Sequence, residues 1–308
     1  MEGVENLPKD APVIIAPNHQ NALIDPLLAG CFLPIPIHYL TRSDVFTKKT
    51  NSFLRSLNMM PIYRIRDGYA KLSQNDAVFE TCRELFQKNK AVLIFPEGNH
   101  GEHHFLRPLT KGTSRLALQS QDQLEKSLNI VPIGFNFFSH REPRSTVIMK
   151  VGKPINVKSF LTQYQENNAK GLMALRDEIS EGMKKTLIIE SETDDYIKRR
   201  DATFNEANSN LPFSELKEGV FDAPKKGRKS NHIIAKLLNP VPFLLLHKVI
   251  SGIKDKVFYS TMKFGVGLIA FPIWWLLVLT IMSFLVGIKI ASLTVFVMIM
   301  GLFFSYRR

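Results

Sequence analysis

A histidine and an aspartate follow an apolar segment near the start of the chain. Residues 13–16 are apolar and precede Pro17, after which come His19 and, six residues later, Asp25. Imidazole has the pKa best suited to accepting a proton near neutrality. A carboxylate bonded to one ring nitrogen would fix the tautomer and leave the other nitrogen as the base. The pair indicates a general base with its orienting carboxylate; the alternative is a loop histidine and an aspartate in the turn before Pro26.

The spacing limits where these two side chains can lie. Six residues correspond to about 600° of rotation along an α-helix, so His19 and Asp25 cannot share one helix face. We expect His19 on a loop that folds back over the helix carrying Asp25. The sequence offers neither a Gly-x-Ser-x-Gly segment nor a cysteine in an electropositive loop as a nucleophile. A base without an enzyme nucleophile suits a reaction in which the substrate's own hydroxyl attacks an activated acyl group.

Apolar segments alternate with helix-like segments through the first part of the chain. This order predicts an α/β fold with a mostly parallel central sheet flanked by helices. The predicted strands are 13–16, 37–41, 91–95, 129–137 and 146–152, and the predicted helices are 21–30, 73–90, 113–127 and 167–190. The strand 91–95 also ends at a proline, followed by Glu97 and Gly98. Ligands bind beyond the carboxyl ends of parallel strands, so these residues and His19 are expected to face one crevice.

The last part of the chain has the composition of a membrane anchor. Residues 264–288 form a stretch of 25 without a charged side chain, longer than the roughly 20 apolar residues that cross a bilayer as a helix. Lys289 interrupts, and residues 290–306 form a second uncharged stretch of 17. The pattern predicts a transmembrane helical hairpin with Lys289 at its turn. For the second stretch, a soluble core helix or a re-entrant segment is the alternative.

The net charge of +12 indicates an anionic partner. Residues 225–256 hold eight Lys or Arg and one acidic residue among apolar side chains. This composition predicts an interfacial segment on an anionic membrane; a solvated basic linker is the alternative for 225–231. Arg307 and Arg308 follow the hairpin, so both of its ends, and the N-terminal domain, are expected on the cytoplasmic side of the inner membrane. The long uncharged stretch argues against a nucleic-acid partner.

Four segments of the chain together resemble a known family. They are "APNHQNALIDPLL", "MPIYRIRDG", "FPEGNHGEHHFLRPLTKG" and "IVPIGFNF", in this order. They are similar to the four sequence blocks of the glycerolipid acyltransferases, a family that includes glycerol-3-phosphate and 1-acylglycerol-3-phosphate acyltransferases. The resemblance covers roughly residues 4–154. We therefore divide the chain into an acyltransferase domain (1–200), a polar and then basic juxtamembrane segment (201–263) and the transmembrane hairpin (264–308).

The resemblance implies an activity and a role for each matching residue. It implies transfer of a fatty acyl group from acyl-CoA or acyl-carrier protein to a hydroxyl of glycerol 3-phosphate, 1-acylglycerol 3-phosphate or a related lysolipid, without a tightly bound cofactor. His19 matches the catalytic base, Asp25 its orienting carboxylate and Arg64 the arginine that binds the acceptor's phosphate. Backbone N–H groups near Gly98 are expected to stabilise the oxyanion. Substrate binding is assigned to Asn18, Arg64, Glu97, Gly98, Asn99, Arg107 and Lys111.

Two departures from the family pattern leave the acceptor open. Five residues separate His19 from Asp25 where the family usually has four, and we expect a wider turn to absorb the extra one. The usual Thr-Arg-Ser after the third block's "PEG" is replaced by residues 99–101, which removes a second phosphate-binding arginine; Arg107, His100 or His103 are the candidate substitutes. The alternatives are acyl transfer to an amino-acid lysolipid, or a non-catalytic lipid-binding or membrane-tethering protein with the same fold.

The remaining histidines and the cysteines predict no further chemistry. His100, His103 and His104 lack the cysteine or His-Glu-x-x-His spacing of a zinc site, so we predict no metal. Cys31 and Cys82 are interpreted as small apolar packing residues in a reducing compartment. The first ten residues are acidic and polar, so no cleavable signal peptide is expected. Oligomeric state is not indicated by the sequence.

Overall fold

The computed structural model describes residues 1–64, 73–221 and 233–305. One sheet lies at its centre, with strand order β3-β2-β4-β1-β5-β6 and β7 paired with β5. The strands are β1 Val13–Pro17, β2 Ile37–Arg42, β3 Met59–Ile62, β4 Ala91–Leu93, β5 Asn129–Phe137, β6 Val147–Val151 and β7 Ile155–Asn156. The pairings of β1 to β5 are parallel, and β6 and β7 run antiparallel to β5. The predicted mostly parallel sheet is confirmed.

Helices flank this sheet and continue beyond it. The described α-helices are α1 Ile24–Phe32, α2 Asn51–Ser56, α3 Gln74–Gln87, α4 Gly112–Gln121, α5 Leu161–Glu166, α6 Asn168–Lys184, α7 Tyr196–Thr203, α8 Phe213–Glu218, α9 Ile233–Leu238, α10 Pro240–Ser251, α11 Phe258–Val286 and α12 Ile288–Ser305. Short 3-10 helices lie at Val4–Asn6, Ser43–Val45, Val157–Phe160 and Glu206–Asn208. The first predicted helix passes through Gly30 and ends two residues later, and the strand predicted as 91–95 ends at Leu93.

Strand β1 is buried on both faces, which explains its continuous apolar sequence. Ile14 packs into a cluster with side chains of α3, α4 and α6 on one side of the sheet. Ile15 packs into a second cluster, with side chains of α1, on the other side. The sheet therefore lies between two apolar layers, and its polar strand ends emerge at one edge.

The two cysteines differ in their surroundings. Cys82 is fully buried in the core beside α3's other apolar residues, and burial raises the pKa of its thiol to about 12. Cys31 is exposed on α1. The prediction of a packing role is therefore wrong for Cys31, because its position on the helix faces outward.

A third apolar cluster joins the later helices to the sheet domain. Phe204, Phe213 and Leu216 are buried together with Phe105 and other side chains near residue 188. Residues beyond 200, expected to be a polar segment, therefore continue the packing of this domain as far as α8. The three-part division of the chain stays a prediction.

The two last helices form the apolar hairpin expected from the sequence. Both are long and apolar enough to cross a membrane by length and composition. The chain reverses at Gly287, whose φ of 84° favours glycine. The hairpin turn thus lies two residues before the expected Lys289, and α11 begins six residues before the uncharged stretch. The basic residues of 225–231, Arg307 and Arg308 lie outside the described residues.

Candidate active site

His19 and Asp25 meet at the carboxyl end of β1. The Nδ1 atom of His19 lies 2.8 Å from Oδ2 of Asp25. The Asp25 side chain is fully buried in the first turn of α1, whereas 14% of the His19 side chain is exposed. The backbone N–H of Asn21 donates to the same carboxylate oxygen at 2.7 Å. Because a carboxylate accepts from Nδ1, the assigned tautomer presents Nε2 as the basic nitrogen.

The turn that joins the pair absorbs the extra residue. Residues 18–23, which we call the histidine loop, precede α1. Ala22 has a φ of 26°, and the N–H of Ile24 donates to the carbonyl oxygen of Asn21 at 2.8 Å. This compact turn folds His19 back over the helix that carries Asp25, as the spacing between them requires. Their catalytic roles stay predictions.

Glu97 and Arg107 hold the backbone of His19. Oε1 of Glu97 accepts the N–H of His19 at 2.7 Å, and its Oε2 lies 2.5 Å from Nε of Arg107. The guanidinium also donates to the carbonyl oxygens of His19, at 3.3 Å, and of Asn99. Burial raises the pKa of Glu97 to about 7, against the opposing effect of the Arg107 charge. The contacts make both side chains supports of the histidine loop, and the substrate contacts assigned to them stay predictions.

Gly98 forms the tight turn that follows β4. Its φ is 68°, and a Cβ atom there would lie 2.9 Å from Cγ2 of Thr110. The N–H of Gly98 donates to the carbonyl oxygen of Phe95 at 3.0 Å within this turn. This N–H is therefore engaged, and an oxyanion would have to be bound by a neighbouring group.

Two rings flank the imidazole of His19. Phe95 stacks on it with ring centroids 3.7 Å apart, and His100 meets it edge-on at 5.6 Å. Burial, followed by the electrostatic effect of the neighbouring His19, lowers the pKa of His100. On its other side His100 contacts Phe258, the first residue of α11, at 5.0 Å. The crevice beside His19 is thus bounded by the base of the apolar hairpin.

Two arginines stand at neighbouring strand ends. Arg42 is the last residue of β2 and Arg64 lies two residues after β3, at the same edge of the sheet as the histidine loop. Asp44 forms an ion pair with Arg42 and lies 3.9 Å from Nη2 of Arg64. The hydrogen bond from Arg42 is the largest cause that lowers the pKa of Asp44. The edge therefore carries two cations around one carboxylate.

Only one of these two arginines was found from the sequence. The positive charge of Arg42 also lowers the pKa of His100, after the larger effect of burial. The signal was available, since "IHYLTR" places an arginine at the end of a predicted strand, as the first strand places His19 shortly after its own end. Arg66 and Asp67, which follow Arg64 in the second block, lie outside the described residues.

The three remaining assigned residues differ in their surroundings. The side chain of Asn18 is buried and bridges β1 to β5, accepting from Phe135 N–H at 2.7 Å and donating to its carbonyl oxygen at 3.1 Å. Asn99 is exposed, and its carbonyl oxygen accepts from Arg107. Lys111 is exposed at the start of α4. Substrate binding by these residues stays a prediction.

The histidine loop also contacts α11 directly, which the sequence did not indicate. The hydroxyl oxygen of Thr261 accepts the N–H of Leu23, just ahead of α1, at 3.3 Å. The Lys263 ammonium donates to the carbonyl oxygen of Arg141 at 2.7 Å. The first turns of α11 are therefore attached both to the histidine loop and to the loop between β5 and β6.

His140, in the loop between β5 and β6, links these two attachments. Its Nε2 lies 2.8 Å from Oε1 of Gln20, and its carbonyl oxygen accepts from Nδ2 of Asn21 at 3.0 Å and from the hydroxyl of Ser260. Burial lowers the pKa of His140 to about 4, so the ring is neutral near pH 7. Residues about 120 positions apart meet here, and no local pattern in the sequence predicts such a contact.

Among the described residues, no group of three or more His, Cys, Asp or Glu could hold a metal ion. His104 is buried, with Nε2 3.0 Å from the carbonyl oxygen of Phe137, and burial lowers its pKa well below the usual value. His103 is exposed and packs against Phe105. The three neighbouring histidines thus face different surroundings.

Comparisons with known proteins agree with the resemblance. Residues 1–136 match the family model described as Acyltransferase. The chain is 30% identical over 124 residues to glycerol-3-phosphate O-acyltransferase 1 of Saccharomyces cerevisiae, covering 39% of this chain and 16% of that protein. It is 30% identical over 115 residues to the 1-acyl-sn-glycerol-3-phosphate acyltransferase of Bacillus subtilis, covering 37% of this chain and 53% of that protein. The matches thus span about half or less of these relatives.

One solved structure is also similar. It is the 1-acyl-sn-glycerophosphate acyltransferase from Thermotoga maritima, 20% identical, with a TM-score of 0.42 and coverage of 60% of this chain and 69% of that chain. The family match and the two relatives, without this structure, confirm the resemblance of the first 136 residues to glycerolipid acyltransferases.

Proposed function

We propose that this chain, whose first 136 residues match the acyltransferase family, is a membrane-bound O-acyltransferase of glycerolipid synthesis. It would move a fatty acyl group from acyl-CoA or acyl-carrier protein to a hydroxyl of glycerol 3-phosphate, 1-acylglycerol 3-phosphate or a related lysolipid. The observation that carries this proposal is the 2.8 Å contact between His19 Nδ1 and Asp25 Oδ2 at a strand-end crevice. It supplies an oriented base where a substrate hydroxyl would be deprotonated.

The proton has a complete route in this mechanism. Nε2 of His19 accepts the proton of the acceptor hydroxyl while the hydroxyl oxygen attacks the thioester carbonyl carbon. The tetrahedral intermediate then expels the thiolate, the new ester bond remains, and the imidazolium returns the proton to the leaving sulfur. Asp25, buried and bonded to Nδ1, stabilises the imidazolium between these two steps. No enzyme nucleophile is needed.

The two strand-end arginines are the proposed site of the acceptor's phosphate. Guanidinium groups bind phosphate through paired, charge-assisted hydrogen bonds. Arg107 is bonded to Glu97 and to backbone carbonyls, so the part in phosphate binding assigned to it would require these bonds to rearrange. Arg42, beside Arg64 through their common neighbour Asp44, supplies the second cation. A phosphate bound there would lie across the edge of the sheet from His19.

The membrane setting follows from the hairpin. Both α11 and α12 meet the length and composition needed to cross a bilayer, and the base of α11 touches the histidine loop through Thr261. An acceptor with a hydrocarbon chain would thus reach His19 from the membrane surface. We place this surface on the cytoplasmic side of an anionic inner membrane because basic residues flank the hairpin.

The test is an assay of the purified full-length chain. Acyl-CoA and acyl-carrier protein are each offered with glycerol 3-phosphate, lysophosphatidate or an amino-acid lysolipid, and release of free thiol is followed. His19→Ala should lower turnover by at least about 10²-fold, the usual contribution of a general base, and leave membrane association unchanged. His247→Ala, at an exposed histidine of α10, is the matched control and should retain full activity.

The assay also distinguishes the proposed enzyme from the alternative, a non-catalytic lipid-binding protein. Full activity in His19→Ala would refute the base mechanism. A non-catalytic lipid-binding protein would consume no thioester with any acceptor, although it would still bind the lysolipid. A preference for the amino-acid lysolipid would show that the acceptor belongs to that class, and the proposed mechanism would still apply.

A further inference from the structure

We infer that α9 and α10 form a wedge, residues 233–251, that inserts into the hydrocarbon of one membrane leaflet beside the hairpin. This goes beyond the proposed transfer reaction and the interfacial segment expected from the sequence. It rests on the proposed crossing of the membrane by α11 and α12. We infer that lipid acyl chains contact the outer surface of the wedge.

The two short helices pack against the hairpin, and the break between them lies at Asn239. Asn239, between α9 and α10, accepts from the indole N–H of Trp275 on α11 at 2.9 Å and donates to the carbonyl oxygen of Met298 on α12 at 3.3 Å. Four residues further along α10, Phe243 meets Phe271, four residues earlier on α11, at 5.5 Å. α10 and α11 are therefore antiparallel neighbours in a constant register.

This register sets the depth of the wedge. Lys263 is the last charged residue before Trp275, twelve residues later, which is about 18 Å along a helix at 1.5 Å per residue. α10, with 12 residues, has the same length of about 18 Å. A hydrocarbon core is about 30 Å thick. If Ser251 lies at its surface, α10 is long enough to place Asn239, at the other end, about halfway through it. The apex of the wedge thus lies near the midplane.

The break between α9 and α10 is suited to this depth. Irregular backbone is tolerated within a membrane only where protein covers it and its polar groups are bonded. Asn239 is fully buried, its N–H donates to the carbonyl oxygen of Ala235 at 3.0 Å, and its amide group is engaged by both hairpin helices. The next residue, Pro240, has no N–H to leave unbonded. The polar groups of Asn239 at the break are therefore bonded within the protein.

The outer surface of the wedge is apolar and open. Large apolar side chains on it are between 46% and 74% exposed: Ile233, Ile234, Leu237, Val241, Leu244 and Leu245. This surface is continuous with the exposed apolar faces of α11 and α12, where Ile269 is 62% exposed. The helices carry no acidic residue, and the flexible chains of Lys236 and Lys248 can extend their ammonium groups toward the headgroups. Lipid hydrocarbon matches these apolar side chains, whereas the exposed His247 and Lys248 lie toward the end of α10 that is nearer the headgroups.

The test measures depth with single fluorescent labels. The full-length chain is placed in vesicles of phosphatidylcholine and phosphatidylglycerol, with Cys31→Ser as background and the buried Cys82 retained. Labels are attached to Leu244→Cys on the wedge, Ile269→Cys on the hairpin and Phe53→Cys on α2, whose parent side chains are 68%, 62% and 64% exposed. The matched exposures make the surrounding medium the main variable.

We expect the Leu244 label to behave as the Ile269 label does. Both should be quenched by a nitroxide on the lipid chain and be several-fold less accessible to aqueous iodide than the Phe53 label. A label at Val241→Cys should be quenched best by a mid-chain nitroxide, and one at Leu245→Cys, a turn nearer the surface, by a shallower one.

Three outcomes would overturn the inference, and each has a different meaning. Iodide access at Leu244 with lipid quenching at Ile269 would place the wedge in water beside an inserted hairpin. Exclusion of both quenchers at Leu244 would show that a second copy or another protein covers the surface. Iodide access at Ile269 would show that the hairpin itself is outside the membrane, whereas acyl transfer by the same preparation would still support the proposed function.

Discussion

The edge of the sheet and the helical unit of α9 to α12 are stabilised in opposite ways. At the edge, the structure buries charged and polar groups and gives them partners: Asp25 bonds His19, and Glu97 bonds Arg107. The helical unit exposes its apolar side chains and buries the polar side chain of Asn239 between three helices. The bonds of the first region fix the geometry of a base, whereas those of the second bond the polar groups of Asn239 at a helix break. The difference predicts unequal responses to the loss of one polar group.

The largest effect is expected where a buried charge loses its partner. Arg107→Ala leaves the nearly inaccessible carboxylate of Glu97 without its cation. Above the raised pKa of Glu97, where its carboxyl group is ionised, breaking a buried pair in this way costs about 3–5 kcal/mol, and the carboxylate that accepts the N–H of His19 would lose the guanidinium that holds it. We expect a lower melting temperature and a lower turnover, measured by thermal unfolding in detergent and by thiol release.

The matched control is a surface pair that also joins an arginine to a carboxylate. Arg176 bonds Asp177 on α6, and the carboxylate is 61% exposed. Arg176→Ala should change stability by no more than about 1 kcal/mol, as exposed pairs do, and leave turnover intact. Equal effects of the two substitutions would show that the Glu97 pair gains nothing from its burial.

A smaller effect is expected in the helical unit. Asn239→Leu removes hydrogen bonds to α11 and α12 but keeps a side chain of similar volume. Interhelical hydrogen bonds within membranes contribute about 0.6–2 kcal/mol. The melting temperature should fall less than in Arg107→Ala, and iodide access to a label at Leu244→Cys should rise.

Thr280→Val is the control for the helical unit. Its hydroxyl bonds the carbonyl oxygen of Leu276 in its own helix and is exposed. The substitution should change neither stability nor label accessibility. If Asn239→Leu proves as damaging as Arg107→Ala, the contrast between the two regions is wrong.

The same two regions show what the sequence can and cannot predict. His19, Asp25 and Glu97 were found because strand ends carry local signals, namely an apolar segment, a proline and then polar residues. The hairpin was predicted because an uncharged stretch of 25 residues is typical of a membrane-spanning helix. Local patterns in the sequence therefore predicted each of the two regions separately.

What the sequence did not predict is how parts distant in the chain meet. The contact of Gln20 with His140, and that of Leu23 with Thr261, join residues 120 and 238 positions apart. Glu97 and Gly98 were assigned to the substrate by pattern, yet their polar groups are bonded within the protein. A pattern identifies which residue types occur at a site, but packing decides which of their atoms remain available.

The smallest expected effect lies at the junction of the two regions. Thr261→Val keeps the shape of the side chain and removes the acceptor for the N–H of Leu23, next to the helix that carries Asp25. We expect turnover to fall about threefold, equivalent to roughly 0.7 kcal/mol at 1.4 kcal/mol per tenfold change, with little change in KM or melting temperature. Thr261→Ser restores the hydroxyl and should restore turnover. A loss that Ser does not rescue would assign the effect to packing of α11. Unchanged turnover in Thr261→Val would show that the histidine loop keeps its geometry without this hydroxyl, so that the membrane helix supports the crevice without tuning it.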